Sequence, residues 1–288
     1  MKTLIIDTKE PKIKVENNTI IVNSRRVPFN LIDNILIFSS FNLNSKEITK
    51  ITNAGKTIIL VDYKLNSTII NSTKAKNSEF KLIQYKAYFD KRLEIAKYIL
   101  ELKIKEHISH LKKLNVNLTQ QNHLEKIANA KDINSLLGIE GSFSKLYFDN
   151  FFANAPKPWH NNKRTKRPPK DPLNALLSFG YTLYYNHITI KLIATGFEPY
   201  IGFLHTPFRD HNALSSDILE PFRADINDFF LNIIKNKTLL LEDFTKRGGV
   251  YLRYEGRKKL YKNWQLFIEE KNTKLTQILY SLKEKFYE

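Results

Sequence analysis

Three short segments of this chain carry side chains that could do chemistry. In Leu136-Leu-Gly-Ile-Glu-Gly-Ser-Phe-Ser-Lys-Leu-Tyr-Phe148, Glu140 stands between Gly138 and Gly141 inside an otherwise helical pattern. Each helical Gly costs about 1 kcal/mol relative to Ala. Two beside a carboxylate leave room for another backbone, or a substrate, to come close; the plainer alternative is tight helix packing around a solvated Glu. In Gly196-Phe-Glu-Pro-Tyr-Ile-Gly-Phe-Leu-His-Thr206, an apolar run ends in a lone histidine, His205, just before Pro207. That residue reads either as a ligand or as a satisfied structural histidine. In Ser215-Ser-Asp-Ile-Leu-Glu-Pro-Phe-Arg-Ala-Asp225, the acids Asp217, Glu220 and Asp228 fall at helical spacing, with Arg223 one turn after Glu220. Asp217 and Glu220 can face one pocket, or they are first-turn acids favoured by the helix dipole; Pro221 is tolerated in a first turn. The chain has no cysteine, so any metal site must use His, Asp and Glu. Carboxylates with one imidazole suit Mg2+ or Mn2+, and Mn2+ better tolerates nitrogen.

A fourth segment is electrostatic. Lys157, Lys163, Arg164, Lys166, Arg167 and Lys170 occur with no acid among them before Asp171-Pro172. This reads as a basic mobile loop that can grip phosphates, or as a solvated loop with no partner. A lesser cluster, Arg253, Arg257, Lys258, Lys259 and Lys262, could extend the footprint. The net charge of +17 favours a polyanion, nucleic acid or an anionic membrane surface. Of the 46 basic residues 36 are Lys, a bias that an A/T-rich genome also produces, so the distribution says more than the sum.

The elements that must position these groups fall into two kinds. The chain has 288 residues and is 42% hydrophobic, enough for a globular core and one large domain or two ordinary ones. Thr3-Leu-Ile-Ile, Lys12-Ile-Lys-Val, Thr19-Ile-Ile-Val, Asn34-Ile-Leu-Ile-Phe and Thr57-Ile-Ile-Leu-Val predict strands of a small sandwich or a strongly bent sheet. A short helix over Leu43–Asn53 is expected beneath it. From about residue 78 the period becomes helical. Tyr85, Tyr88, Phe89, Ala96, Ile99, Leu100, Lys103, Ile108 and Leu111 mostly fit one face of a long helix. Breaks are expected at 115–117, 155–172, 196–199 and 248–249. The fold class is therefore α+β, a β-sandwich-like domain over residues 1–78 followed by a larger all-α domain over 79–288 that carries the basic loop 156–171. No signal peptide or membrane-spanning stretch is evident, so a cytoplasmic protein is expected, and no basic amphipathic helix supports a membrane partner. Tyr181, Tyr184 and Tyr185 read as core more readily than as base-stacking residues.

Taken in order, Gly138-Ile-Glu-Gly, Asp171-Pro-Leu-Asn-Ala-Leu-Leu-Ser-Phe-Gly-Tyr181, Gly196 to His205 and Leu214 to Arg223 resemble the motifs of the CRISPR-associated integrase family, the catalytic protein of spacer acquisition. The match spans about residues 135–230, and the strand-then-helix layout agrees. The resemblance implies that Glu140, His205 and Glu220 bind a divalent metal, Mg2+ or Mn2+, and that Asp217 supports the site. Glu220 stands where some members carry Asp, one methylene shorter. His211 is not read as a ligand. The metal would polarise a phosphodiester and stabilise an in-line transition state. The implied reaction joins the 3′-hydroxyl ends of a prespacer to repeat DNA, with double-stranded and branched DNA as substrates. Lys163, Arg164, Lys166, Arg167 and Arg223 are the expected DNA contacts. The family implies a homodimer joined through the β domain and a small ferredoxin-like adaptation partner. The alternative is a basic nucleic-acid-binding protein whose metal site is non-catalytic.

Overall fold

The computed structural model describes residues 2–38, 40–62, 65–71, 78–209 and 211–288. It separates into two compact units, residues 1–76 with 260–273, and residues 77–259 with 274–288. The expected junction at 78/79 borders residues 72–77, which lie outside the described residues. The division also differs from a single cut there, because a stretch of the C-terminal helix belongs to the first unit.

The first unit is built from short Ile-rich strands. β1 (Thr3–Ile6), β5 (Asn34–Ile37), β6 (Thr57–Val61) and β7 (Ser67–Ile70) form one sheet in the order β1-β5-β6-β7. The first two pairings are parallel and the last is antiparallel. β2 (Ile13–Glu16), β3 (Thr19–Val22) and β4 (Arg25–Pro28) form a second, antiparallel sheet. Ile6, Ile13, Val15, Ile20, Ile35, Ile37 and Ile58 from the two sheets join one buried cluster with Ile51 of helix α1 (Ser45–Asn53). Asn44 and Glu47 close a capping box that fixes where α1 starts. The expected strands all form. β4 and β7 escape sequence reading because their residues are exposed or half-buried, so no hydrophobic alternation marks them.

The second unit is mainly helical: α2 (Ser78–Asp90), α3 (Arg92–Lys113), α4 (Gln121–Ala128), α5 (Ile133–Asn154), α6 (Pro172–Ala194), α7 (Ala213–Leu219), α8 (Arg223–Lys235) and the two ends of α9 (Tyr254–Tyr287), whose residues 260–273 fall in the first unit. It is not wholly helical. β8 (Phe244–Lys246) and β9 (Val250–Leu252) form a hairpin whose turn holds Gly248 at φ +68°. The long helix predicted across residue 90 is two helices, broken at Lys91, whose ψ of 13° leaves the α region. Tyr85 and Phe89 therefore belong to a different face and are exposed. On α3 the buried face runs through Ile95, Ala96, Ile99, Leu100, Lys103, Ile104, His107, His110 and Leu111. α6 is buried on almost every side, as expected of a helix apolar all round at the centre of a bundle. Asp171 caps α6 by accepting from Asn174 N at 2.8 Å. Among the described residues, no helix is long and apolar enough to cross a membrane.

Burial leaves a titration signature in this unit. It pushes His187 down to about 3 and, with partial relief from Asp228, His110 down to about 4. Both stay neutral in the fold while the unfolded chain takes up protons near pH 6.5. The unfolded state then binds more protons, so stability rises with pH across this window and is lost as pH falls from about 6.5 towards 4. Each histidine contributes about 1.4 kcal/mol per pH unit at the steepest. Urea unfolding from pH 7 to 4.5 is expected to show this fall, and H187N is expected to flatten its slope by about one proton. An unchanged slope would mean that His187 titrates normally in the folded protein.

Candidate functional site

The site is assembled from four elements of the second unit. Glu140 projects from the middle of α5, whose start is fixed by Asp132 accepting from Ser135 N at 2.7 Å. A side chain added at Gly138 or Gly141 would meet nothing within 4 Å. Among the described residues no backbone uses the space the two glycines leave, so the backbone approach expected from sequence does not occur there.

Glu220 begins a single 3-10 turn, Glu220–Phe222, between α7 and α8, and is buried. Pro221 fits because it sits at the start of that turn, where its missing N–H has no helical partner to lose. The Arg223 Nε donates to Glu220 Oε1 at 2.9 Å, and the guanidinium lies over the Tyr181 ring at 4.5 Å.

A residue that sequence reading passed over joins the two carboxylates. Lys103 of α3 is buried, with 3% of its side chain exposed. Its ammonium pairs with Glu140 Oε1, lies 2.7 Å from Glu220 Oε2, and donates to Ser144 Oγ at 3.0 Å. The Ser144 hydroxyl in turn donates to Glu140 Oε1 at 2.7 Å. The signal was present in the sequence as a lysine inside the apolar stripe of α3, where a charged group needs a partner.

Charges dominate this centre. Burial works to raise Glu220, but Arg223, Lys103 and His205 outweigh it and hold the carboxyl well below the usual range. Glu140 is likewise lowered, burial being overcome by the charge and hydrogen bond of Lys103 against the repulsion of Glu220. Glu220 Oε2 faces the Lys103 ammonium at 2.7 Å, which neutralises it, and meets no other donor among the described residues.

His205 is placed by Asp217. This fully buried carboxylate on α7 gathers the segment before the histidine. Oδ2 accepts from Phe203 N at 2.5 Å and Leu204 N at 3.1 Å, and Oδ1 accepts from His205 N at 2.9 Å. Oδ1 also accepts from the His205 Nδ1–H at 2.7 Å, which turns Nε2 away from Asp217, with no hydrogen-bond partner among the described residues. Burial works to lower the His205 pKa, but the Asp217 hydrogen bond and charge raise it on balance. Gly202 lets the same segment press against α7, since a Cβ there would lie 2.6 Å from the Ala213 carbonyl carbon.

The donor types, two carboxylates and an imidazole, fit a divalent cation. The spacing is more open: among the described residues no group of three or more His, Asp and Glu side chains closes to ion-holding distance. Glu140 and Glu220 share one ammonium, while His205 senses Glu220 only through its charge. Asp228 is not part of this centre and instead pairs with Lys113 at 3.3 Å.

The basic loop is ordered by Asn174 of α6. Its Oδ1 accepts from Thr165 N at 3.0 Å and Arg164 Nη1 at 2.8 Å; its Nδ2 donates to Lys163 O and to Asp171 Oδ2, both at 2.8 Å. Val250 N donates to Pro169 O at 2.8 Å and ties the loop to the hairpin. The mobile loop expected from composition is thus pinned by one buried amide. Arg164 is committed inward, donating also to Ser178 Oγ at 3.1 Å and lying over the Tyr181 ring. Arg223 is committed to Glu220. Neither guanidinium is a free phosphate contact here, because both neutralise or pack against the interior. Lys163, Lys166 and Arg167 remain exposed. Although its surface is exposed, partial desolvation by its neighbours and the repulsion of Arg223 and Arg164 lower the Lys166 pKa, with Glu220 and Glu140 opposing, which sets this lysine within electrostatic reach of the carboxylate pair. Tyr181 and Tyr184 are core residues, and the Tyr185 hydroxyl accepts from Asn212 N at 2.9 Å. In the C-terminal cluster Lys259 pairs with Asp243 at 2.7 Å.

A family model described as CRISPR associated protein Cas1 matches residues 4–266. A CRISPR-associated endonuclease Cas1 of Thermodesulfovibrio yellowstonii is 31% identical over 296 residues, covering 95% of this chain and 93% of that protein. The solved Cas1 protein of Thermotoga maritima superposes with a TM-score of 0.93 at 23% identity over 100% of this chain and 97% of its own. A casposase solved bound to its integration product gives a TM-score of 0.82 at 23% identity, covering 93% of this chain and 83% of that one.

Proposed function

The chain belongs to the CRISPR-associated Cas1 family, and from that premise we propose that it is a metal-dependent DNA endonuclease and integrase of spacer acquisition. The observation that carries this reading is the convergence of a half-buried carboxylate from α5 and a buried one from the turn after α7 on one cation position, with a braced histidine within reach of the Glu220 charge.

Glu140, Glu220 and His205, through Nε2, would hold Mg2+ or Mn2+. Such an ion supplies Lewis-acid polarisation of the phosphodiester and stabilises the charge of the in-line transition state. Asp217 keeps the imidazole in the tautomer that leaves Nε2 free. Arg223 holds the Glu220 carboxylate ionised and aimed. The open surface beside Gly138 and Gly141 leaves room for a DNA strand next to Glu140. In the reaction the 3′-hydroxyl oxygen of the prespacer forms a new bond to the repeat phosphorus. The existing P–O3′ bond breaks, the attacking hydroxyl loses its proton, and the departing 3′ oxygen gains one. The substrates are double-stranded and branched DNA. The protein would act as a homodimer with a small ferredoxin-like adaptation partner.

Prespacers ending in 3′-dideoxy nucleotides test the reaction type. They are expected to bind normally and give no joined product. Joining that survives the missing hydroxyl would contradict transesterification. Salt-dependent binding without any chemistry on normal ends would favour the non-catalytic nucleic-acid-binding reading.

Lys166 is an exposed lysine of the basic loop that feels the charges of Glu220 and Glu140. K166A is expected to weaken binding similarly across DNA sequences and to reduce the slope of log K against log salt by about 1. Fluorescence anisotropy between 50 and 300 mM salt measures this, and an unchanged slope would remove Lys166 from the phosphate contacts.

A further inference from the structure

The spacing of the site and its chemistry disagree, and Lys103 accounts for the disagreement. The ammonium lies between Glu140 Oε1 and Glu220 Oε2, within ion-pair distance of both. A divalent ion shared by those two oxygens would need bonds of about 2.0–2.2 Å to each. The ammonium and such an ion cannot occupy that gap together.

Charge leads to the same conclusion. Glu140 and Glu220 carry two negative charges, and Lys103 and Arg223 carry two positive ones, so the buried group is neutral as it stands. Adding a divalent cation without removing a charge would leave it strongly positive in a poorly solvated pocket, a costly state. Arg223 is held by Glu220 Oε1 and by its seat over Tyr181. Lys103 is the cation on a flexible stem, anchored through carboxylate oxygens and the Ser144 hydroxyl.

We propose that Lys103 is a resident counter-ion, a positioning residue that holds Glu140 and Glu220 together before metal arrives and is displaced from between them when the ion binds. This rests on the metal-site reading given above. Before displacement, Lys103 keeps the buried Glu220 and the half-buried Glu140 from repelling each other. After displacement, Glu140 and Glu220 are free to close with His205 into a ligand set that they do not form while the ammonium stands between them.

The test is a Mn2+ titration read by the electron paramagnetic resonance of free Mn2+, on the full chain as wild type, K103M and E220Q. Methionine keeps the length and removes the charge. K103M is expected to bind one Mn2+ at least tenfold more tightly than wild type, because no ammonium must leave. E220Q is expected to lose that site. K103M binding equal to or weaker than wild type, with the site still lost in E220Q, overturns the counter-ion role and leaves the metal site standing. Wild-type binding unaffected by E220Q overturns the metal site itself, and the counter-ion with it. A measurement on wild type needs no variant: reductive methylation with peptide mass spectrometry, with and without Mg2+. Lys103 is expected to be protected without Mg2+ and modified several-fold more with it. Protection that Mg2+ leaves unchanged or increases overturns the proposal.

Discussion

E220Q is expected to lower DNA strand joining by about 10^3-fold while DNA binding stays within about twofold of wild type. Glu220 is buried beneath Arg223 and Lys103, so it offers no surface to the duplex and its loss does not remove a phosphate contact. Its loss does remove the carboxylate whose Oε2 faces the Lys103 ammonium. A neutral amide there also leaves two buried cations with one fewer counter-charge, and breaking a buried pair costs about 3 kcal/mol. The unfolding temperature should therefore fall, with the folded circular-dichroism spectrum kept at 25 °C. Strand joining on a branched substrate, compared with anisotropy on the same DNA, separates chemistry from binding. Activity within twofold of wild type would take Glu220 out of the site.

D217N is expected to act on both the fold and the reaction. Four N–H groups converge on the two carboxylate oxygens of Asp217. An amide has one acceptor atom, and its NH2 would face donors on the other side. Leaving buried donors unmet costs about 1–3 kcal/mol each where they cannot reach water, so a loss of roughly 3 kcal/mol or more is expected by urea unfolding. In the molecules that remain folded, the His205 ring loses the partner that fixes its tautomer, and strand joining should drop about 10^2-fold. A D217N protein as stable as wild type would show that the segment from Gly202 to His205 is held by its apolar neighbours rather than by this carboxylate.

Much of the arrangement was legible in the sequence because it follows local rules. The strands of the first unit announce themselves through β-branched runs, and the helical period after residue 78 marks the second. What was not legible depends on partners distant in sequence. Lys91 carries no breaker signal, so the division between α2 and α3 is not readable from its residue type. Arg164 and Arg223 have the composition of DNA contacts. Asn174 and Glu220 capture them, and these partners cannot be read from a charge run. Lys103 is the most instructive case. Its position in an apolar stripe was visible, but its meaning required knowing that α3 packs on α5 and on the turn at Glu220. The hairpin of β8 and β9 was hidden because three-residue strands carry too few alternations to be recognised.

The measurement that tests the central claim most directly uses a branched DNA mimicking a half-integrated spacer. Purified protein is incubated with it in Mn2+, in Mg2+ or in EDTA, with E140A and E220A alongside. The account predicts that strands are joined or released only with a divalent ion, and that both variants bind the branch but leave it unaltered. Equal strand transfer in EDTA, or by either variant, would contradict it.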